Sequence, residues 1–254
     1  FMGEAEKAHL IPLVRLATTF DEKGFWRQPT KADVIAMADF LSDLDWPSNK
    51  RHVILFNEPN HRGEWGGELD PEGYAQIAAF AADWFKTEDR GYVVLPAGLD
   101  AAAPNGPKTM ESFLFIERML AEEPELFSKF DGWTSHAYPN PGFAASAYRK
   151  GKDSLLGWEY ELDFLREISG IDFEVFITET GWDQSKVSQK NLTAYYEYAL
   201  KNVWNDERIK AVTPFILNGN NGIFDGFSFF NADGSPTSQM KALLAARQRI
   251  DLRL

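Results

Sequence analysis

Short apolar runs recur along this chain at steps of about forty residues, each followed by a longer amphipathic stretch. The runs cover 10–17, 52–57, 92–96, 131–136, 173–178 and 211–217, so their starts are separated by 42, 40, 39, 42 and 38 residues. Leu10, Ile11, Leu13, Val14 and Leu16 make the first run branched and strand-like. The second, His52-Val53-Ile54-Leu55-Phe56-Asn57, has the unbroken apolar centre of a strand buried on both faces. Helices are predicted between the runs. Thr30 with Asp33 three residues on reads as a capping box, followed by Val34, Met37, Leu41 and Leu44 at helical spacing. Asp70 reads as an N-cap with Pro71 at the first helical position, and Tyr74, Ile77, Ala81 and Trp84 share one face. Further helices are predicted over roughly 109–121, 158–168, 188–204 and 236–250. Strand–helix alternation without hairpin signals implies a parallel sheet covered by helices. Neither G-x-G-x-x-G nor G-x-x-x-x-G-K-[ST] occurs, which favours a closed barrel over an open doubly wound sheet. No linker interrupts the pattern, so 1–254 reads as a single (β/α)-barrel domain.

In a parallel barrel the loops after the strands line the catalytic face, and here the long connections, 58–69, 97–108, 137–157 and 218–235, all follow strands. Composition narrows what such a face can bind. The net charge of −12 argues against nucleic acid or an anionic membrane surface, both of which need a basic face. An uncharged polymer, or a neutral or cationic small molecule, fits better. The absence of cysteine excludes a disulfide framework, Cys-ligated metal and a thiol nucleophile. No run of about 18 apolar residues marks a transmembrane helix. The 14% aromatic content suits stacking on sugar rings, although core filling is the default for most of these side chains.

Two glutamates stand where strands are predicted to end: Glu58 after His52–Asn57 and Glu179 after Phe173–Thr178. Their separation of 121 residues is three repeat units, which across an eight-stranded barrel lets the side chains converge over the lumen. Two carboxyl groups about 5–5.5 Å apart are the requirement for retaining glycoside hydrolysis, one protonating the leaving oxygen and one attacking the anomeric carbon. Unequal environments separate the two pKa values so that each carboxyl holds its form.

Asn57-Glu58-Pro59 closing an apolar strand resembles the Asn-Glu-Pro signature of glycoside hydrolase clan A, and Thr178-Glu179-Thr180-Gly181-Trp182 resembles that clan's nucleophile segment. The similarity extends from 52 to 245 and includes His136-Ala137-Tyr138-Pro139 and the segment 229–236. It implies a TIM-barrel (β/α)8 fold, Glu58 as acid/base on the fourth strand and Glu179 as nucleophile on the seventh. It further implies that Asn57 contacts the sugar 2-hydroxyl and that Tyr138 contacts the nucleophile. His136, Trp182, Trp65 and Asn218, all near the predicted catalytic face, are expected to contact substrate. The substrate that the resemblance implies is an oligo- or polysaccharide, met outside the cell or at its surface, with no cofactor and no metal. Where the clan often ends its eighth strand with Trp, residues 213–218 have none, so stacking is expected from Trp182, Phe215 or a loop aromatic. Counting Glu58's strand as the fourth leaves only one strand before it, so the chain is expected to hold about six βα units and to lack two upstream. An incomplete barrel of that kind stays open, rearranges, or is completed by self-association with a second chain.

Other residues carry plainer expectations. Arg15 reads as a buried arginine paired with an acidic neighbour, because the clan's nucleophile-contacting Arg lies one strand earlier. Glu58-x-x-His61 matches a helical di-metal spacing, but Pro59 and the lack of helical periodicity argue against a helix there. Trp65, set among Gly63, Gly66 and Gly67, and Trp26, after the first strand, are expected to be exposed sugar platforms. The loop Asn218-Gly219-Asn220-Asn221-Gly222 reads as a chain reversal. A catalytically inactive carbohydrate-binding protein on the same scaffold is the alternative function.

Overall fold

The computed structural model describes residues 1–88, 91–219 and 222–250; Asn220 and Asn221 of the turn-rich loop lie outside the described residues. It divides into two compact units, one formed by 1–134 with 164–173 and the other by 135–163 with 174–254.

In the first unit, α1 (Met2–Lys7) leads into β1 (Leu13–Arg15), and α2 (Lys31–Ser42) into β2 (Arg51–Ile54). There follow α3 (Pro71–Glu88), β3 (Tyr92–Leu95) and α4 (Ser112–Glu122). The three strands form a parallel sheet in the order β1-β2-β3, with Val14 opposite Val53 and Val53 opposite Val94. Val53, Ile54 and Leu55 are buried, as the unbroken apolar run predicts for a central strand. The strand expected over 10–17 is much shorter. Pro12 has no N–H to give a ladder, and Leu10 and Ile11 before it are exposed, so pairing begins only at Leu13.

The capping box at Thr30 is present: its hydroxyl accepts from Asp33 N, and Asp33 accepts from the Thr30 N–H at 2.7 Å. Arg27 also donates to both Asp33 oxygens, at 2.9 and 2.8 Å. That pairing first, and the Thr30 bonds second, hold the Asp33 carboxyl well below the usual carboxylate range. Asp70 caps α3 through the Gly73 N–H at 2.8 Å.

The second sheet has the order β4-β5-β6, and the division between the units falls inside β4 (Trp133–Ser135). β5 (Val175–Thr180) runs parallel to β6 (Ile209–Pro214). β5 reaches two residues past the expected end because Thr180 O accepts from Phe215 N at 2.9 Å, so Glu179 lies within the strand. α5 (Gly157–Ser169) precedes β5. The helix expected over 188–204 is α6 (Gln189–Tyr198), capped by Ser188 and continued by a π-helical turn, Ala199–Val203. α6 packs on α7 (Ser238–Arg249) around buried Leu192, Tyr196, Ala242 and Ala246, with the Tyr196 hydroxyl donating to Gln239 at 2.8 Å. Among the described residues no helix is long and apolar enough to cross a membrane.

Thr30→Ala removes one half of the capping box and is expected to lower unfolding stability by about 1 kcal/mol in urea titrations at neutral pH. The Asp33 contribution is present above the ordinary carboxylate range and is lost as pH falls through its lowered value, so the variant's deficit should shrink in strong acid.

Candidate active site

Each unit carries one of the two glutamates. In the first, the β2 ladder ends with Leu55 N donating to Leu95 O at 2.9 Å. The chain then turns sharply: Phe56 N bonds back to Ile54 O at 3.0 Å, Phe56 has φ +74° and Glu58 φ +32°. A bulky residue in the left-handed region is a local strain, and such strain clusters at functional sites. The expected strand therefore stops short of Asn57, and the turn delivers Asn57 and Glu58 side by side. Glu58 is fixed by its backbone, N to Gly98 O at 3.1 Å and O accepting from His61 N at 2.8 Å.

Around Glu58 lies a network of other polar groups. His61 Nε2 pairs with Asp100 Oδ2 at 2.9 Å. Burial alone would lower the His61 pKa, but the Asp100 hydrogen bond and the charges of Glu58, Asp100 and Glu64 raise it above the ordinary imidazole value. Fully buried Asn60 clamps the Asp100 loop, donating to Asp100 O at 3.0 Å and Met110 O at 3.1 Å and accepting from Asp100 N at 3.2 Å. On the other side, Arg15 Nη1 donates to Asn57 Oδ1 at 2.6 Å, and Asn57 Nδ2 donates to Glu64 Oε2 at 3.3 Å. Burial pushes the Glu64 carboxyl up, opposed by the Asn57 hydrogen bond and reinforced by the charge of Glu58. Arg15, Asn57, Glu64, Trp26 and Trp65 line a cleft of about 330 Å³.

In the second unit, Glu179 is the penultimate residue of β5, its side chain 13% exposed. The Tyr138 hydroxyl donates to Glu179 Oε2 at 3.0 Å, and His136 Nδ1 lies 3.9 Å from the same oxygen. The neighbouring Thr180 hydroxyl donates to Ala137 O at 2.7 Å, which ties the strand end to the segment that carries both residues. Tyr138 is held on its other side by rings, Phe143 at 5.0 Å and Phe227 at 6.1 Å. An O–H donor on a carboxyl oxygen makes a stronger, charge-assisted bond to the ionised form than to the neutral one, so this contact favours ionised Glu179. Asn218 is half-buried, and its Nδ2 is 3.5 Å from Asn231 O.

Three expectations are corrected. Trp65 is buried rather than exposed: Gly66 (φ +65°) and Gly67 (φ +83°) fold the loop inward, where a Cβ at Gly67 would strike the Phe25 ring, and Trp65 packs edge-on against Phe56 and Tyr74. It borders the cleft but presents no open platform. Trp182 is fully buried in the core of the second unit, against Tyr196 with ring centroids 5.0 Å apart, its Nε1 donating to Ala145 O at 2.9 Å. Burying that large ring on α6 outweighs leaving it free to stack on a sugar. Arg15 is exposed rather than buried; it donates to Asn57, and its charge acts on the acidic neighbour Glu64. Trp26, also expected exposed, is half-buried with the Phe20 ring 4.0 Å away, and half-buried Phe215 has Phe224 edge-on at 5.2 Å. Sequence reasoning missed Asp100, Glu64 and the Arg15–Asn57 bond. Asp100 sits in one of the long post-strand loops and Glu64 six residues after Glu58, so a search for acids in those loops would have found both.

No protein-family model matches the chain, and no curated protein matches it. Solved structures do. A family 128 (subgroup II) endo-β-1,3-glucanase from Sorangium cellulosum is 16% identical with a TM-score of 0.63, over 95% of this chain and 83% of that one. A family 39 glycoside hydrolase from Bacteroides cellulosilyticus WH2 is 19% identical with a TM-score of 0.66, over 99% of this chain and 53% of that one. A glucosidase from Croceicoccus marinus is 14% identical with a TM-score of 0.69, over 97% and 52%. The likeness shows the fold: the chain shares the α/β arrangement of barrel glycoside hydrolases and spans only about half the length of two of these three.

The raised Glu64 pKa has a consequence for stability. A carboxyl whose folded pKa lies above its unfolded value stabilises the fold most below the unfolded value, and that contribution is lost as pH rises through the folded one. Glu64→Gln removes the buried charge, so it is expected to raise the melting temperature at pH 7, with the gain vanishing below about pH 4. A variant less stable than the parent at pH 7 and equal to it at pH 4 would contradict the assignment.

Proposed function

We propose that this chain is a retaining glycoside hydrolase acting on O-glycosidic bonds of an oligo- or polysaccharide, with Glu179 as nucleophile and Glu58 as general acid/base. The observation that carries the reading is the Tyr138 hydrogen bond to Glu179, a donor that favours the ionised carboxylate a nucleophile must present. Glu58 at the carboxyl end of β2, on a fold shared with glycoside hydrolases of several families, supports the second role.

In the first step Glu179 attacks the anomeric carbon while Glu58 gives its proton to the glycosidic oxygen, which leaves as an alcohol. A glycosyl ester on Glu179 results. In the second step Glu58, now a carboxylate, takes a proton from water as that water attacks the anomeric carbon and expels Glu179. Two inversions leave the configuration retained. The mechanism requires the two carboxyl groups about 5–5.5 Å apart. Asn57 donates to the sugar 2-hydroxyl, a contact that strengthens as the oxocarbenium character grows. The net charge of −12 suits an uncharged polymer over a polyanionic one.

A panel of chromogenic glycosides and polysaccharides finds the substrate, and variants then test the roles. Glu179→Ala is expected to lose activity on the order of a thousandfold or more, with azide restoring turnover on an activated glycoside to give a glycosyl azide of inverted configuration. Glu58→Ala with azide should give the retained configuration. Parent-like rates for Glu179→Ala would overturn the assignment. Sugar binding by the parent chain without turnover at any pH would make it a carbohydrate-binding protein instead.

A further inference from the structure

A side-chain amide is nearly symmetric in shape and opposite in chemistry at its two ends, so whatever fixes its orientation decides whether it offers a ligand a donor or an acceptor. Asn57 is gripped at both ends, by groups from separate elements. Arg15, the last residue of β1, donates to Oδ1 at 2.6 Å; Glu64, at the end of the 3₁₀ turn Arg62–Glu64, accepts from Nδ2 at 3.3 Å. A guanidinium has donors only, and an ionised carboxylate has acceptors only. A flipped Asn57 would set N–H against N–H at Arg15 and oxygen against oxygen at Glu64, and both bonds would be lost.

We propose that Arg15 and Glu64 are positioning residues that lock the Asn57 amide with its NH₂ end toward Glu64, so that the cleft they line presents a fixed donor to a hydroxyl of a neutral sugar ring. The inference rests on the proposed glycosidase reading for its ligand and on the hydrogen-bond geometry for its mechanism. The NH₂ group has two hydrogens, and Glu64 takes one of them. The cleft, about 330 Å³, lies at the lower end of the roughly 300–1,000 Å³ typical of small-molecule sites, a size suited to one ring rather than a chain. Half-buried Trp26 forms part of its wall, and buried Trp65 borders it. The groups that face Glu64 electrostatically are Asn57, Glu58, Arg15 and His61. Protonating Glu64 gives it a donor of its own and removes the acceptor-only end of the lock, so the amide's fixed orientation belongs to the pH range in which Glu64 is ionised.

Two readouts test this, one of which needs no catalysis. By ¹⁵N NMR, with the Asn57 side-chain signals assigned from Asn57→Ala, the amide hydrogens of the full chain should shift with a single carboxyl titration that disappears in Glu64→Gln and Glu64→Ala. Amide signals unchanged across pH and in both variants would overturn the proposal. By kinetics, Arg15→Ala and Glu64→Ala should each lower kcat/KM about tenfold on the best 2-hydroxy substrate, and less than twofold on its 2-deoxy counterpart. Arg15→Lys and Glu64→Gln should restore part of the loss. Asn57→Ala/Glu64→Ala should be no worse than Asn57→Ala alone. Equal losses on both substrates, or additive losses in the double variant, would mark a merely structural role. A chain that turns over no sugar but shows the titrating amide refutes the glycosidase reading and leaves the lock standing.

Discussion

A parallel strand covered on both faces has little place for a charged side chain except near the end of its ladder, and the rest of this structure depends on where two such ladders stop. β2 gives out at the Leu55–Leu95 bond, and the left-handed turn at Phe56 swings Asn57 and Glu58 out of the apolar layer. β5 carries its carboxylate one residue before its end, past an irregularity in its pairing with β6 between Ile177 and Thr180, and Thr180 anchors the strand end. Both glutamates thus sit on backbone that the core holds rigid, while the groups that condition them come from loops. Asp100 and His61 belong to the first unit, and Tyr138 and His136 to the second.

Those loop groups are held at a cost in stability. Phe56 occupies a conformation that bulky side chains avoid, and Glu64 is buried against its own ionisation and against the charge of Glu58. Neither feature improves the fold. Both are where local preference and global structure disagree, and in natural proteins such disagreements gather at functional sites. The capping box at Thr30, where sequence, backbone and charge all agree, shows what the chain does where only folding is at stake.

Much of this was legible in the residues. The forty-residue repeat located all six described strands, and the N-caps at Thr30 and Asp70 stand where their side-chain chemistry puts them. The contact of Tyr138 with Glu179 followed from a motif resemblance. The errors share a physical cause. Strand ends were misjudged where one residue changes the ladder, Pro12 by lacking a donor and Thr180 by gaining a partner in Phe215. Trp65 was expected at the surface because it lies among glycines and Trp182 as a stacking ring because of the motif resemblance, but glycine also lets a loop fold inward, and burial of an indole outweighs its exposure. The Arg15–Asn57–Glu64 chain joins residues up to 49 positions apart through side-chain geometry, which no local pattern encodes.

The central claim is that Glu179 attacks an anomeric carbon, and the glycosyl ester this creates can be trapped. A 2-deoxy-2-fluoro glycoside with an activated leaving group, matched to the sugar the chain cleaves best, slows the second step more than an activated first step. Peptide mass spectrometry after that treatment should find the fluoro-sugar on the peptide containing Glu179 and a matching loss of activity. Modification of Glu58 in its place, or full turnover with no adduct and an inverted product, would contradict the account.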